Sequence, residues 1–277
     1  MPRGKVRWSE EEIARRYAQG RGQGDLADYH PWLDFYDLSS TGLAARLPSA
    51  KTGRLHHLMS GIEIGAFLEL IHSPGVIDIQ EQYALDREDT RAIAAELGIR
   101  HPVYPGTKVD VVMTTDLVVL RLEGDVVRRY ARAVKPASKL EDLRILEKLE
   151  IERRFWALRD EDWAIITDQE QSQRRRASLE WMHAKEVLHE ESEPDHWTTR
   201  IAAFVAAVRS ARQGATFEDL ERALLARGLF QPDEMVTVIR HLCGTGRMQS
   251  DPDQGFDITW PVTRMPLVEL SRWAEAA

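Results

Sequence analysis

Three residues that lie far apart in this 277-residue chain, Glu63, Asp116 and Lys135, are of the types that can hydrolyse a phosphodiester. Glu63 lies early in a helical stretch, Asp116 lies in a β-rich run, and Lys135 ends the next such run. A hairpin joining the two runs would bring the three side chains together. Two carboxylates can bind Mg²⁺, and a lysine can offset charge on a phosphate. The sequence therefore suggests a magnesium-dependent site that cuts a nucleic acid backbone.

The elements that must position these residues are predicted from periodicity and from turn signals. An apolar helix begins at Ser60 and runs to about His72, where Pro74 and Gly75 stop it. Strands are predicted at 76–83, 109–122, 126–134 and 163–167, with helices near 89–97 and 140–160. Glu123-Gly124-Asp125 predicts a hairpin that places position 116 opposite roughly position 132. The order helix, three strands, helix, strand predicts a mixed sheet flanked by helices.

Each acidic residue also has a purely structural interpretation. Ser60 and Glu63 have the spacing of a capping box, in which the glutamate completes the start of a helix. Asp116 and Lys135 could be a cross-strand ion pair at the surface, although Asp116 lies in an apolar run where carboxylates are rare unless paired or metal-bound. Glu152 shares an apolar helical face with neighbours four and three residues away, so it needs a partner or a chemical role.

Two segments offer residues that could bind the phosphates of DNA. The glycine-rich segment 20–24 contains Arg21 and Gln23, but it lacks the lysine and hydroxyl residue of a phosphate-binding loop for nucleotides. Segment 51–58 is interpreted as a solvated basic loop, and its candidate DNA contacts are Lys51, Arg54, His56 and His57.

Composition limits the class of protein and its location. Hydrophobic residues make up 43% and charged residues 30%, as expected of a globular protein. No apolar run approaches the roughly 18 residues needed to span a bilayer. The single cysteine, Cys243, excludes internal disulfides, so we expect a reducing, cytoplasmic location in a bacterium, in association with DNA.

Charge and pattern divide the chain at the polar, basic stretch 169–176. We predict a nuclease domain over residues 1–170 and a second, mainly α domain over 171–277. From residue 177 onward there are 10 Lys and Arg against 16 Asp and Glu, so phosphate binding should be N-terminal. Helices are predicted near 179–188, 198–212, 216–227 and 232–243, and 247–250 with 256–260 are predicted as a hairpin. Helices followed by such a wing are typical of a winged-helix domain.

At these residues the sequence resembles the TnsA family, the endonuclease subunits of heteromeric, cut-and-paste bacterial transposases. Order and spacing match over roughly residues 10–170. The matching stretches are 13–16 (IARR), 20–24 (GRGQG), 31–33 (PWL), 51–58 (KTGRLHHL), 78–82 (DIQEQ), 89–91 (DTR), 101–103 (HPV), 115–116 (TD), 134–136 (VKP) and 146–154 (LEKLEIERR).

The resemblance implies a restriction-endonuclease-like fold and assigns roles to residues. The family's catalytic acids correspond to Glu63 and Asp116, its lysine to Lys135, and a further functional glutamate to Glu152. One or two Mg²⁺, with Mn²⁺ as a substitute, would be bound by Glu63, Asp116 and the carbonyl of Val134. One position departs from the pattern, because Ala133 stands where such nucleases have an acid and where relatives often have Gln.

The resemblance also implies a substrate and partners. The expected activity is cutting of the 5′, non-transferred strands of double-stranded DNA at transposon ends, while a TnsB-like DDE transposase cuts and joins the 3′ ends. A TnsC-like AAA+ regulator would dock on the acidic C-terminal domain. The alternatives are a catalytically inactive adaptor between these partners, which Ala133 would favour, and a stand-alone restriction or repair nuclease.

Overall fold

The computed structural model describes residues 6–34, 37, 43–188 and 195–268, and it separates into two compact units, Met1–Gln171 and Ser172–Ala277. The first unit contains helices α1 (Glu10–Ala18), α2 (Gly61–Ile71), α3 (Arg87–Glu96) and α4 (Leu143–Ala157). Its strands are β1 (Ala45–Ser49), β2 (Arg54–Leu58), β3 (Val76–Ala84), β4 (Thr114–Glu123), β5 (Val126–Val134) and β6 (Asp162–Ile166).

The larger sheet of the first unit has the order β3-β4-β5-β6. Strands β3, β4 and β5 pair antiparallel, whereas β6 pairs parallel with β5. The return from β5 to a parallel neighbour requires a long crossover, and helix α4 provides it. The prediction of a mixed sheet flanked by helices is therefore confirmed.

Both faces of the central strand β4 are covered. The consecutive residues Leu117, Val118 and Val119 are all buried, although their side chains alternate between the two faces of the sheet. Val118 belongs to the core formed with α3 and α4, which includes Ile93 and Phe155. Helix α2 contacts β3, β4 and β5. The strand carrying Asp116 thus lies in the middle of the unit.

The β4–β5 hairpin turns at Gly124, as predicted, with Glu123 paired to Val126. Gly124 has a φ of 62°, which favours glycine in such a two-residue turn. Arg132 pairs with Leu117, so position 116 lies opposite position 133, one residue from the approximate prediction of 132. The predicted start of β4 was wrong: residues 109–111 instead bond to the 102–104 segment, so the strand begins only at Thr114.

Segment 51–58 is not the solvated loop predicted from its basic residues. It forms a turn and strand β2, which pairs antiparallel with β1 in a separate two-stranded sheet. His56 is completely buried, and the Arg54 side chain is only 7% exposed. The Arg54 charge is balanced by the buried carboxylate of Glu81.

The second unit contains helices α5 (Gln173–His183), α6 (His196–Arg209), α7 (Phe217–Ala226) and α8 (Glu234–Gly244), close to the predicted segments. The predicted wing is wrong: no hairpin forms within 195–268. Met248 instead bridges to Leu267. Residues 256–260 lie against the start of α7, where the N–H of Phe217 donates to the carbonyl of Trp260. A winged-helix identity for this unit is not confirmed.

Candidate nuclease site

Glu63 serves both the start of a helix and the candidate site. Ser60 caps α2 by accepting from the backbone N–H of Glu63 at 3.2 Å, and its hydroxyl donates to Glu63 Oε1 at 3.0 Å. Glu63 Oε2 accepts from the N–H of Met59 at 3.0 Å, one residue further back than a capping box predicts. Burial and the nearby Asp116 raise the pKa of Glu63 to about 7. Glu63 therefore caps the start of α2 and also lies close to Asp116.

Asp116 and Lys135 are in direct contact at the ends of β4 and β5. Lys135 Nζ donates to Asp116 Oδ2 at 2.6 Å and to the carbonyl of Val134 at 3.0 Å. The same carboxylate oxygen accepts from the N–H of Val134 at 2.6 Å. The lysine side chain is 32% exposed and the aspartate 14%, so the pair lies at the edge of the core and is open to solvent.

Glu152 lies on α4 and is directed toward the same group of charges. Its Oε1 accepts from the hydroxyl of Thr115 at 2.8 Å and from Nε1 of Trp163 at 3.1 Å. Nε1 of Trp156 donates to the Thr115 hydroxyl at 2.8 Å. Because that hydroxyl already accepts from Trp156, its proton points to Glu152. Glu152 is thus buried among neutral donors, and it has no arginine partner in the described ranges.

The electrostatics of the four groups show that they form one cluster. Burial, then the charge of Asp116, raises the pKa of Glu152 to about 7. Burial alone would lower the pKa of Lys135, but Asp116, Glu152 and Glu63 raise it. Three carboxylates thus share one lysine. The structure brings together all four residues singled out from the sequence.

This donor set fits a divalent cation. The carboxylates of Glu63 and Asp116 and the carbonyl oxygen of Val134 are hard oxygen ligands of the kind that Mg²⁺ prefers. Burial, then the charge of Asp116, raises the pKa of Glu63 and of Glu152, so a nearby positive charge would favour their ionised forms. A divalent cation would provide that charge. Ala133 is completely buried on β5, and its side chain has no ligand atom.

The candidate DNA contacts have different environments. Gln23 and Lys51 are exposed, and His57 is half-buried. Arg21 is half-buried, and its guanidinium pairs with Asp34 at 3.0 Å. We retain these four as proposed contacts. The two others, Arg54 and His56, are inaccessible to DNA because they face inward.

Arg54 and His56 face a buried carboxylate that the sequence did not single out. Glu81 on β3 is fully buried, and its Oε2 accepts from Arg54 at 2.6 Å and from His56 at 2.9 Å. Its Oε1 accepts from the N–H of His57 at 3.0 Å. Burial alone would raise the pKa of Glu81, but His56 and Arg54 lower it to about 2. Glu81 therefore anchors the β1–β2 hairpin that directly precedes α2.

Gly22 accounts for part of the glycine-rich segment. A Cβ atom at Gly22 would lie 2.6 Å from that of Ala84 at the end of β3, and its φ of 74° also favours glycine. Gly22 therefore allows the chain to pack closely against β3, and no nucleotide-binding loop is required to explain it.

Comparison with known proteins identifies the family. A family model described as TnsA-like endonuclease N terminal matches residues 73–168, which include Asp116, Lys135 and Glu152. The chain is 45% identical to the transposon Tn7 transposition protein TnsA of Escherichia coli over 184 residues, 66% of either protein. The chain belongs to the TnsA-like endonuclease family. The matched residues contain the sheet β3-β4-β5-β6 with α3 and α4, and they include three of the four clustered residues, whereas Glu63 lies before them.

The similarity leaves about a third of each protein unmatched. In this TnsA-like chain, none of the helices in the described ranges is both long enough and apolar enough to cross a membrane.

Proposed function

We propose that the chain is a DNA endonuclease subunit that hydrolyses phosphodiester bonds with the help of Mg²⁺. The observation that carries this proposal is the contact between Asp116 and Lys135 with Glu63 and Glu152 beside it. Family membership supports the same activity. Glu63, Asp116 and the Val134 carbonyl would hold one or two ions.

The residues of the chain would divide the chemistry as follows. When bound, Mg²⁺ would supply Lewis acidity for hydrolysis and neutralise charge on the leaving oxygen. Asp116 holds Lys135 in place through the 2.6 Å contact of its Oδ2 with Nζ. Lys135 would orient the attacking water and offset the negative charge that develops on the phosphate. Glu152, held by Thr115 and Trp163, would add a third carboxylate beside the metal-binding residues.

The proposed substrate is double-stranded DNA at the ends of a transposon. The chain would cut the 5′, non-transferred strands, and a TnsB-like DDE transposase would cut and join the 3′ ends. We further propose that Arg21, Gln23, Lys51 and His57 contact the DNA. The Escherichia coli relative is a transposition protein, which supports a role in transposition for this chain.

We propose that the second unit binds protein. Its net charge of −6 from residue 177 onward opposes strong binding of phosphates. A TnsC-like AAA+ regulator is the proposed partner. A fragment covering 172–277 that bound duplex DNA tightly and failed to bind such a regulator would contradict this assignment.

Strand-specific nicking of labelled transposon-end DNA tests the proposed activity. The chain is assayed with and without its DDE transposase partner, in Mg²⁺ and in EDTA. We expect 5′-strand cuts only with both the partner and Mg²⁺, and none when Asp116→Ala replaces the normal chain. Cutting by Asp116→Ala, or by the normal chain in EDTA, would overturn the proposal. Cutting without the partner would indicate a stand-alone nuclease, and the absence of cutting under all conditions would indicate an adaptor.

A further inference from the structure

Lys148 is a cation without a partner beside the candidate site. It lies on α4 one helical turn before Glu152, so the two side chains lie on the same side of the helix. Lys148 is half-buried. Its ammonium group makes no hydrogen bond or ion pair with any residue in 6–34, 37, 43–188 or 195–268.

The other cations of α4 behave differently. Arg144 pairs with Glu147 at 2.6 Å. Arg153 and Arg154 share Glu150, at 2.7 and 2.9 Å. Each of these arginines therefore has a carboxylate on its own helix within one turn, which is the usual arrangement on a solvated helix. Lys148 is the exception among the basic residues of α4.

The charges around Lys148 make its position unfavourable in the isolated chain. Burial, then the positive charges of Arg144 and Lys135, lowers the pKa of Lys148, and Asp142 opposes this only in part. The carboxylate of Glu152 is engaged elsewhere, with Thr115 and Trp163. Desolvation and repulsion between like charges both destabilise such a lysine. An anion from outside the chain would remove that cost.

We infer that Lys148 binds a backbone phosphate of DNA next to the scissile phosphate. The position supports a phosphate ligand because Lys148 lies near Lys135 and on the helix that carries Glu152. An ammonium group is a compact point charge suited to a phosphate oxygen. The inference rests on the proposed function, because it assumes that DNA occupies this site. It assigns Lys148 to substrate binding and leaves the hydrolytic step to Lys135.

The test measures DNA affinity as a function of salt for the full chain. The probe is a fluorescein-labelled duplex, and all proteins carry Asp116→Asn so that the duplex stays intact. One lost phosphate contact should reduce the slope of log affinity against log salt by about 0.9, and weaken binding about tenfold at low salt. Lys148→Met should show this change, whereas Lys148→Arg should retain most of the slope. Lys108→Met, at an exposed lysine in the same unit, is the matched control and should change affinity less than twofold.

Thermal unfolding separates this role from a structural one. Lys148→Met keeps an unbranched apolar stem and removes the charge that Arg144 and Lys135 repel, so its Tm should equal or exceed that of the parent. A lower Tm would show that the lysine has a stabilising partner, and the inference would fail. An unchanged salt slope in Lys148→Met, or an equal loss of slope in Lys108→Met, would also overturn it.

The outcomes also separate this inference from the proposed function. If the unsubstituted chain cuts transposon ends but Lys148→Met keeps the full slope, only the role of Lys148 is wrong. If the chain never cuts DNA but Lys148→Met reduces the slope of log affinity against log salt, the phosphate contact is supported and the endonuclease proposal fails.

Discussion

Lys135 Nζ and the backbone N–H of Val134 both donate to Asp116 Oδ2, each at 2.6 Å. One carboxylate oxygen therefore fixes the lysine and the end of β5 together. Asp116 Oδ1 makes no hydrogen bond with the residues that the structure describes, so it is the oxygen available to a ligand. Asp116 would thus use one oxygen to hold Lys135 and the end of β5 and the other to bind the metal ion.

Asp116→Asn should abolish most cutting while leaving the chain folded. The amide keeps the size of the side chain but lacks the charge that holds Lys135 and that would bind Mg²⁺. We expect the rate of strand nicking to fall by at least about 100-fold. Glu123→Gln is the matched control, because it replaces a carboxylate by a carboxamide at an exposed residue at the far end of β4. This variant should cut DNA at the normal rate. Comparable nicking by Asp116→Asn would contradict the assigned role.

The free energy of unfolding of the metal-free chain should depend on pH through the titration of Glu63 and Glu152. Their folded-state pKa is about 7 against an ordinary value of 4.5. Between these values the folded state binds more protons than the unfolded state, so these two groups lower stability as pH rises from about 4.5 to about 7. The stabilisation lost is on the order of 3 kcal/mol for each of the two groups.

Histidines with lowered pKa values, such as His56, act in the opposite direction. The measurement is therefore a difference: denaturant unfolding of the normal chain and of the Glu63→Gln, Glu152→Gln double variant at pH 5 and pH 7.5. The variant should gain stability relative to the normal chain at the higher pH. Equal pH dependence of the two proteins would show that these carboxyls titrate normally.

Thr115→Val should lower the stability of the chain and change the pH profile of nicking, because it alters the environment of Glu152. Valine has nearly the shape of threonine, but it leaves Trp156 Nε1 without its acceptor and removes one of the two donors to Glu152, which keeps only Trp163 Nε1. Each unsatisfied buried group costs about 1–3 kcal/mol, so Tm should fall. The lost hydrogen bond should also raise the pKa of Glu152 further and move the pH profile of nicking to higher pH. Thr115→Ser keeps the hydroxyl, so its Tm and its pH profile of nicking should match those of the normal chain. If they match those of Thr115→Val instead, the methyl group of Thr115 and not its hydroxyl accounts for the effect.

Glu81→Gln should destabilise the first unit strongly without removing any residue of the cluster. The change removes the shorter of the two ion pairs of the buried Arg54 guanidinium and leaves only the 3.4 Å contact with Asp78. Removing one partner of a buried pair costs about 3–5 kcal/mol. Chemical denaturation provides the measurement. Glu88→Gln at an exposed site on α3 is the comparison, and it should change stability by less than about 0.5 kcal/mol. A similar small effect at Glu81 would mean that the β1–β2 hairpin is held by packing alone.

Much of the first unit could be predicted because its signals are local. Ser60 and Pro74 mark the limits of α2, and Gly124 marks the β4–β5 turn, so the positions of Glu63, Asp116 and Lys135 followed from nearby residues. The order of these elements also predicted the mixed sheet. Glu152 was suspected because a carboxylate on an apolar helical face needs a partner.

The errors arose where long-range contacts decide the structure. Arg54 and His56 look solvated in sequence, and buried carboxylates on another strand, chiefly Glu81, explain their position. The contacts of Thr115 and Trp163 with Glu152 could not be predicted, because a hydroxyl and an indole are common in strands. The wing was predicted from turn residues near 251–255, but 256–260 instead bonds to the start of α7. No pattern within those residues reveals that competing partner.

The dual role of Glu63 couples the chemistry of the site to a backbone amide. The N–H of Met59 donates to Glu63 Oε2, so any cation or proton that takes electron density from that oxygen weakens this hydrogen bond. The NMR chemical shift and exchange rate of the Met59 amide should therefore report the state of Glu63. The helix start thus provides a native spectroscopic sensor of site occupancy that needs no attached label.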